Sequence, residues 1–175
     1  MTDEARGTVH ASAVLVGDRA VLIRGPSGSG KSRLAFDLIL AGRSGQIPPA
    51  VLVGDDRVHL DTSGGKLLVR PAATLTGLIE IFGLGIRQTE YVPEAFVGLV
   101  VDLAAADAER MPAAESLTTK INGVELPRLP VNLRNSPLPL IAAALTTTPG
   151  SPSGLPSADC RKGIGNHIRP TIATE

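Results

Sequence analysis

The eight residues Gly25-Pro26-Ser27-Gly28-Ser29-Gly30-Lys31-Ser32 follow the spacing G-x-x-x-x-G-K-S, which constrains this chain more than anything else in it. Glycines at this spacing let backbone N–H groups turn inward around phosphate oxygens, and a helix starting at the lysine adds the positive end of its dipole. The pattern carries weight only between a strand and a helix. Here it has that context, because Ala20-Val21-Leu22-Ile23 precedes it and Leu34, Ala35, Leu38 and Ile39 recur at helical spacing after it. Gly25 to Ser32 are therefore expected to form a phosphate-binding loop. Lys31 would neutralise the β- and γ-phosphates of a nucleoside triphosphate, and the Ser32 hydroxyl would ligate a divalent metal.

The rest of the chain reads as hairpins more than as alternating strands and helices. Ala13-Val14-Leu15-Val16 and Ala20 to Ile23 flank the turn Gly17-Asp18-Arg19. Gly42 is expected to cap the helix after the P-loop. A short strand, Val51-Leu52-Val53, runs into Gly54-Asp55-Asp56, and residues 58–60 and 66–69 bracket another hairpin. Pro71 is expected to open a short helix reaching Leu78. Phe96 to Leu103 reads as a central strand, and Asn122-Gly123 is a type I′ turn signal between residues 118–121 and 124–126. Ser136-Pro137 offers an N-cap and first-turn proline for a helix ending near Leu145. Beyond Thr146 the run Pro149 to Pro156 is too poor in apolar surface to offset its ordering entropy. The expectation is one catalytic domain over residues 1–148 and a disordered tail over 149–175.

Length and composition support one α/β domain with a single site, since 175 residues are too few for two ordinary domains and linkers. Lys+Arg and Asp+Glu both number 17, so no basic field exists to gather nucleic acid or an anionic membrane. Aromatics are 2% of residues, with no Trp, which argues against base-stacking platforms. No apolar run approaches the roughly 20 residues of a membrane span. The lone Cys160 and the absence of a signal-type N-terminus point to the cytoplasm.

Beyond the P-loop, chemistry gathers at Asp55-Asp56. A carboxylate at the end of an apolar strand is where P-loop proteins hold the metal, commonly through water, and a second one can take a proton from an acceptor hydroxyl. A solvated acidic turn is the plainer reading. His10, just before the first strand, reads alone as a surface histidine. Glu80 sits among Leu78, Ile79 and Ile81, so it must face solvent or find a cation, and a structural ion pair and a metal-side role fit equally. Arg110, Arg128 and Arg134 lie in loop-like segments, where a solvated surface is the default. His59, His167 and Cys160 have nothing to recommend them.

These segments, in order along roughly residues 7–145, resemble the catalytic domain of the HPr kinase/phosphorylase family. The resemblance runs from Val9-His10-Ala11 through the P-loop and Val53-Gly54-Asp55-Asp56-Arg57-Val58 to Leu78-Ile79-Glu80-Ile81-Phe82-Gly83-Leu84-Gly85-Ile86. The last segment is similar to the family signature L-E-[IV]-R-G-[LV]-G-I. The resemblance implies a P-loop α/β kinase domain with a mixed, twisted, hairpin-rich sheet, as in HPr kinase and phosphoenolpyruvate carboxykinase. It implies ATP and Mg2+ as cofactors and a serine of the phosphocarrier protein HPr as acceptor. His10, Lys31, Asp56 and Arg110 match the catalytic positions, and Ser32 and Glu80, with Asp55 beside them, the metal side. Asp56 would accept the serine proton in the forward direction and return it when phosphate removes the phosphoryl group as pyrophosphate. Hexameric assembly is implied by the same likeness.

Three departures accompany it. The P-loop begins at residue 25, which reads as a short form without the family's N-terminal domain. Phe82 stands where the signature has arginine, and the stretch between Ile86 and Phe96 is shorter than the family's glycine-rich loop. The arginine-rich P-V-R-P-G-R loop linked with dephosphorylation is represented only by Leu129-Pro130-Val131-Asn132-Leu133-Arg134-Asn135. Kinase activity is thus better supported than phosphorylase activity. A small-metabolite P-loop kinase and a non-catalytic ATP-binding module are the alternatives, the first disfavoured by the hairpins between Val58 and Leu126.

Overall fold

The computed structural model describes residues 7–132 and 134–150. Eleven strands and two α-helices follow one another as β1 (Val9–His10), β2 (Ser12–Val16), β3 (Arg19–Arg24), α1 (Lys31–Arg43), β4 (Ala50–Gly54), β5 (Arg57–Ser63), β6 (Lys66–Pro71), β7 (Leu78–Ile81), β8 (Gly85–Gln88), β9 (Ala95–Leu103), β10 (Thr118–Ile121), β11 (Val124–Val131) and α2 (Pro137–Thr146). Nine strands form a mixed sheet in the order β1-β5-β6-β9-β3-β2-β4, with β11 also paired to β9 and β10 to β11. The α/β fold with a hairpin-rich mixed sheet is as the sequence implied. β7 and β8 form a separate two-stranded hairpin.

The sheet bends sharply. β1 continues into β2 across the buried Ala11, and β4 turns into β5 at Asp55-Asp56, so chain links opposite ends of the strand order. One face, rich in small residues such as Ala11, Ala13 and Ala20 with Leu22, Val58 and Val69, closes on itself. The other carries Val14, Val21, Ile23, Leu99 and Val101 and is covered by Leu34, Leu38 and Ile39 of α1 and Ile141 of α2. β9 feeds both. Its pairing with β3 skips Gly98, going from Ala20↔Val97 to Val21↔Leu99. That bulge moves the odd-numbered side chains from one core to the other. A Cβ at Gly98 would lie 2.6 Å from the Arg19 side chain, so only glycine fits.

Local expectations met mixed outcomes. The central strand, the Gly17 hairpin and the Asn122-Gly123 turn, with φ of 49° and 82°, are present. α2 starts at Pro137 and ends at Thr146. Gly42 does not end α1, which runs on to Arg43 with Ser44 as C-cap. The glycine is there because a Cβ would sit 2.6 Å from the Ala50 amide nitrogen where α1 crosses β4. Pro71 opens no helix of the expected length. It closes β6 opposite Val58, and only a single 3-10 turn, Ala73–Leu75, follows before Gly77 at φ 72° resets the chain for β7. Residues 151–175, with Cys160, His167 and most of the expected tail, lie outside the described residues.

Candidate active site

The P-loop joins the end of β3 to the start of α1. Gly25 packs so closely that a Cβ would lie 2.6 Å from Ser29 Oγ and 3.0 Å from Leu103, and Gly30, the α1 N-cap, has φ 93°. Both glycines answer a physical demand, one of space and one of backbone. Lys31 is 6% exposed, and its Nζ donates to the carbonyl oxygens of Gly25 and Pro26, each at 3.0 Å. Burial holds its pKa below 10.5, against the opposing pull of Asp55 and Asp56. A bound phosphate oxygen would take over from those carbonyls as the partner of the ammonium.

The adjacent acids do different work. Asp55, 3% exposed, turns inward beneath the loop. Its Oδ1 accepts from Ser12 Oγ at 2.5 Å and Ser32 Oγ at 2.9 Å, and its Oδ2 accepts from the Glu80 backbone N–H at 3.0 Å. It therefore fixes the Ser32 hydroxyl and ties β2, α1 and β7 together, instead of offering an open carboxylate face. Asp56 has φ 63° at the centre of a three-residue turn closed by the Arg57 N–H on the Asp55 carbonyl at 2.8 Å. Such turns are rare and strained, and strain of this kind clusters at functional sites. The turn swings Asp56 outward. Pairing of His10 with Arg57 across β1 and β5 then brings His10 Nε2 to 3.2 Å from Asp56 Oδ1.

His10, Asp56, Glu80, Phe82 and the loop from Ser27 to Ser32 line one open cavity of about 620 Å3. Glu80, exposed on the β7–β8 hairpin, faces the P-loop across it. Glycine-lined backbone, Lys31, and the oxygens of Ser32 and Glu80 suit a polyphosphate with a hard divalent cation. Among the described residues no three His, Cys, Asp or Glu side chains converge. A metal here would thus draw most of its shell from phosphate and water, as Mg2+ does. The buried Ser29 Oγ, without a partner in the described structure, fits the same use.

Arg110 is exposed in the segment after β9 and does not line this cavity. Arg128, expected at a solvated surface, is instead 15% exposed and clamped. Its Nε meets Asp102 Oδ2 at 2.5 Å, its two terminal nitrogens take the Asp107 carboxylate at 2.6 and 3.0 Å, and one also donates to the Ser116 carbonyl. Arg24, the residue before the P-loop, binds Asp102 from the other side at 2.7 and 2.8 Å. Burial alone would raise the Asp102 carboxyl, but hydrogen bonds from Arg24 and Arg128 outweigh it and hold the group below 3.8. This network fastens the ends of β3 and β9 to the middle of β11 beside the P-loop. An acid interrupting the apolar run Phe96–Leu103 was the available signal for it, as the hydroxyl in Ala11-Ser12-Ala13 was for Ser12.

Strand, glycine loop and helix, with a carboxylate-bearing turn between β4 and β5 lining the same cavity, define a P-loop α/β domain. The HPr Serine kinase C-terminal domain model matches residues 4–148, and the chain belongs to that family. It is 32% identical over 150 residues to the HPr kinase/phosphorylase of Mycoplasma mycoides subsp. mycoides SC, covering 78% of this chain and 46% of the relative. With the HPr kinase/phosphorylase of Neisseria meningitidis serogroup C it shares 32% identity over 144 residues, covering 78% and 42%. It thus spans less than half the length of these curated relatives. The Hpr(Ser) kinase/phosphatase structure from Coxiella burnetii superposes with a TM-score of 0.62 at 27% identity, over 80% of this chain and 93% of that one. Among the described residues no helix is long and apolar enough to cross a membrane.

Proposed function

We propose that this chain is an ATP- and Mg2+-dependent kinase that phosphorylates a serine of the phosphocarrier protein HPr. The observation that carries this reading is the outward-turned Asp56, 3.2 Å from His10 and facing the P-loop across one cavity. A nucleotide-driven switch has no need of a strained, exposed carboxylate beside its phosphate cradle. A hydroxyl kinase does. Family membership supports HPr as the acceptor, since the curated relatives are HPr kinase/phosphorylases.

Mg2+, when bound, would supply positive charge to offset that of the phosphates. Ser32 and Glu80 are the residues to hold it, with Asp55 keeping the Ser32 hydroxyl in place. Loop N–H groups and Lys31 stabilise negative charge on the transferring group. Asp56, held by His10, takes the proton as the acceptor oxygen bonds to the γ-phosphorus and the bridging oxygen leaves with ADP. Run backward, with phosphate as attacking group, Asp56 returns the proton and pyrophosphate departs. The forward direction is the better supported, because segment 129–135 carries Arg134 as its only arginine.

The test is incubation of the purified chain with ATP, Mg2+ and HPr, followed by phosphoserine mapping. Stoichiometric phosphate on one HPr serine is expected, and its absence at every ATP concentration from a folded protein overturns the proposal. Turnover of small hydroxyl metabolites without HPr would favour a metabolite kinase instead.

A further inference from the structure

Three polar or charged residues are buried among the described residues: Ser12, Lys31 and Asp55. Lys31 belongs to the P-loop and Asp55 to the strand end beneath it, whereas Ser12 belongs to no motif. It opens β2 opposite Ile23 of β3, 1% exposed between Ala11 and Ala13, where an alanine would pack without the cost of burying a hydroxyl. Its Oγ donates to Asp55 Oδ1 at 2.5 Å, the short end of the range for a hydroxyl on a carboxylate. Two residues earlier, His10 meets Asp56. The run His10-Ala11-Ser12 thus grips both neighbouring acids, one side chain to each.

Both residues suited to a divalent cation hang on the carboxylate that Ser12 holds. Ser32 Oγ donates to the same Oδ1 at 2.9 Å, and the Glu80 N–H donates to Oδ2 at 3.0 Å. A serine hydroxyl has one hydrogen and two lone pairs, so while the Ser32 hydrogen points at Asp55 its lone pairs are free for a cation. Without Ser12, Asp55 loses the donor that is anchored in the main sheet. The carboxylate can then turn about its side-chain torsions and take the Ser32 rotamer with it. We infer that Ser12 is a positioning residue for the metal, acting through Asp55 on Ser32 and so setting how strongly Mg2+ tightens nucleotide binding. This rests on the reading that the P-loop takes a nucleoside triphosphate with Mg2+. Residues one step removed from a metal typically govern about 10–100-fold of its affinity.

The experiment titrates the full chain with a fluorescent ATP analogue, once in EDTA and once in saturating Mg2+, and takes the ratio of the two Kd values as the metal enhancement. Ser12→Ala should lower the enhancement about tenfold and leave the Kd in EDTA within about twofold, because the loop backbone and Lys31 take phosphate without Ser12. Ser12→Cys, similar in volume with a weaker donor, should fall between, and it carries the comparison if Ser12→Ala does not fold. Combining Ser12→Ala with Ser32→Ala should lose no more enhancement than Ser32→Ala alone, which a merely structural effect would not produce. An unchanged enhancement in the folded variant, an equal loss in EDTA and in Mg2+, or additive losses in the double variant each overturn the role of Ser12 and leave the kinase reading standing. An unaltered chain that binds the analogue with no enhancement by Mg2+ removes the metal reading and this inference together. Binding in neither condition removes the P-loop reading as well.

Discussion

The floor of the site and its rim are built on opposite principles. On the floor, polar groups spend themselves on one another: Asp55 receives three hydrogen bonds, Lys31 gives two to its own loop, and Asp102 is gripped by two arginines. At the rim, the β7–β8 hairpin stands outside the main sheet with Phe82 fully exposed, Leu84 63% exposed and Ile86 62% exposed. A two-stranded hairpin has little stability of its own. Only the Glu80 backbone, through Asp55, links it by a described hydrogen bond to the floor. On the proposed reading, the floor would fix phosphate and base and the rim would meet the acceptor.

Breaking the floor at its base gives the largest effect. Asp56→Asn is expected to lower transfer to HPr by ~10²–10⁴-fold while ATP affinity stays within threefold, measured by phosphoserine formation and by titration. Turnover within tenfold of the unaltered chain would remove Asp56 from its assigned role. Next comes the support beneath the floor. Asp102→Asn leaves Arg24 and Arg128 without their shared carboxylate and should cost about 3 kcal/mol in urea unfolding. Its pH dependence has a definite sign. A carboxyl held below 3.8 contributes stability that is present above that pH and lost as pH falls through the lower folded value. The gap between the unaltered chain and the variant should therefore be full at pH 7 and close in strong acid, and a gap independent of pH would show that charge is not its source. A smaller step is Ser12→Ala, which removes one of three donors from the buried Asp55 and should cost about 1–2 kcal/mol.

What the sequence made legible follows the same line between floor and rim. The P-loop and its helix, the central strand and the Asn122-Gly123 hairpin were readable because local chemistry dictates them. The division of Asp55 from Asp56 was not, since neighbouring acids look alike until a positive φ at one of them turns their side chains apart. Gly42 misled for a related reason: a glycine near the end of a helical pattern reads as a cap, whereas here close approach of Ala50 demands it. Arg128 was unreadable because its three partners come from segments 12 to 26 residues distant. Ser12 and Asp102 were legible in principle, as polar residues inside apolar strands that must find partners.

Phe82 tests the rim, and its expected effect is the smallest in energy and the most selective. An aromatic ring exposed to water on all sides makes no contact whose loss would destabilise the fold, so Phe82→Ala should leave unfolding within about 0.5 kcal/mol of the unaltered chain. It nevertheless lines the cavity that holds His10 and Asp56, so on the proposed reading a protein bringing a serine to Asp56 would meet it there. The variant is expected to raise the KM for HPr by about three- to tenfold, roughly the worth of one partly buried aromatic contact, with kcat and the KM for ATP unchanged. A fall in kcat at constant KM would instead place the hairpin among the groups that act in the transition state, and the separation of floor from rim would fail.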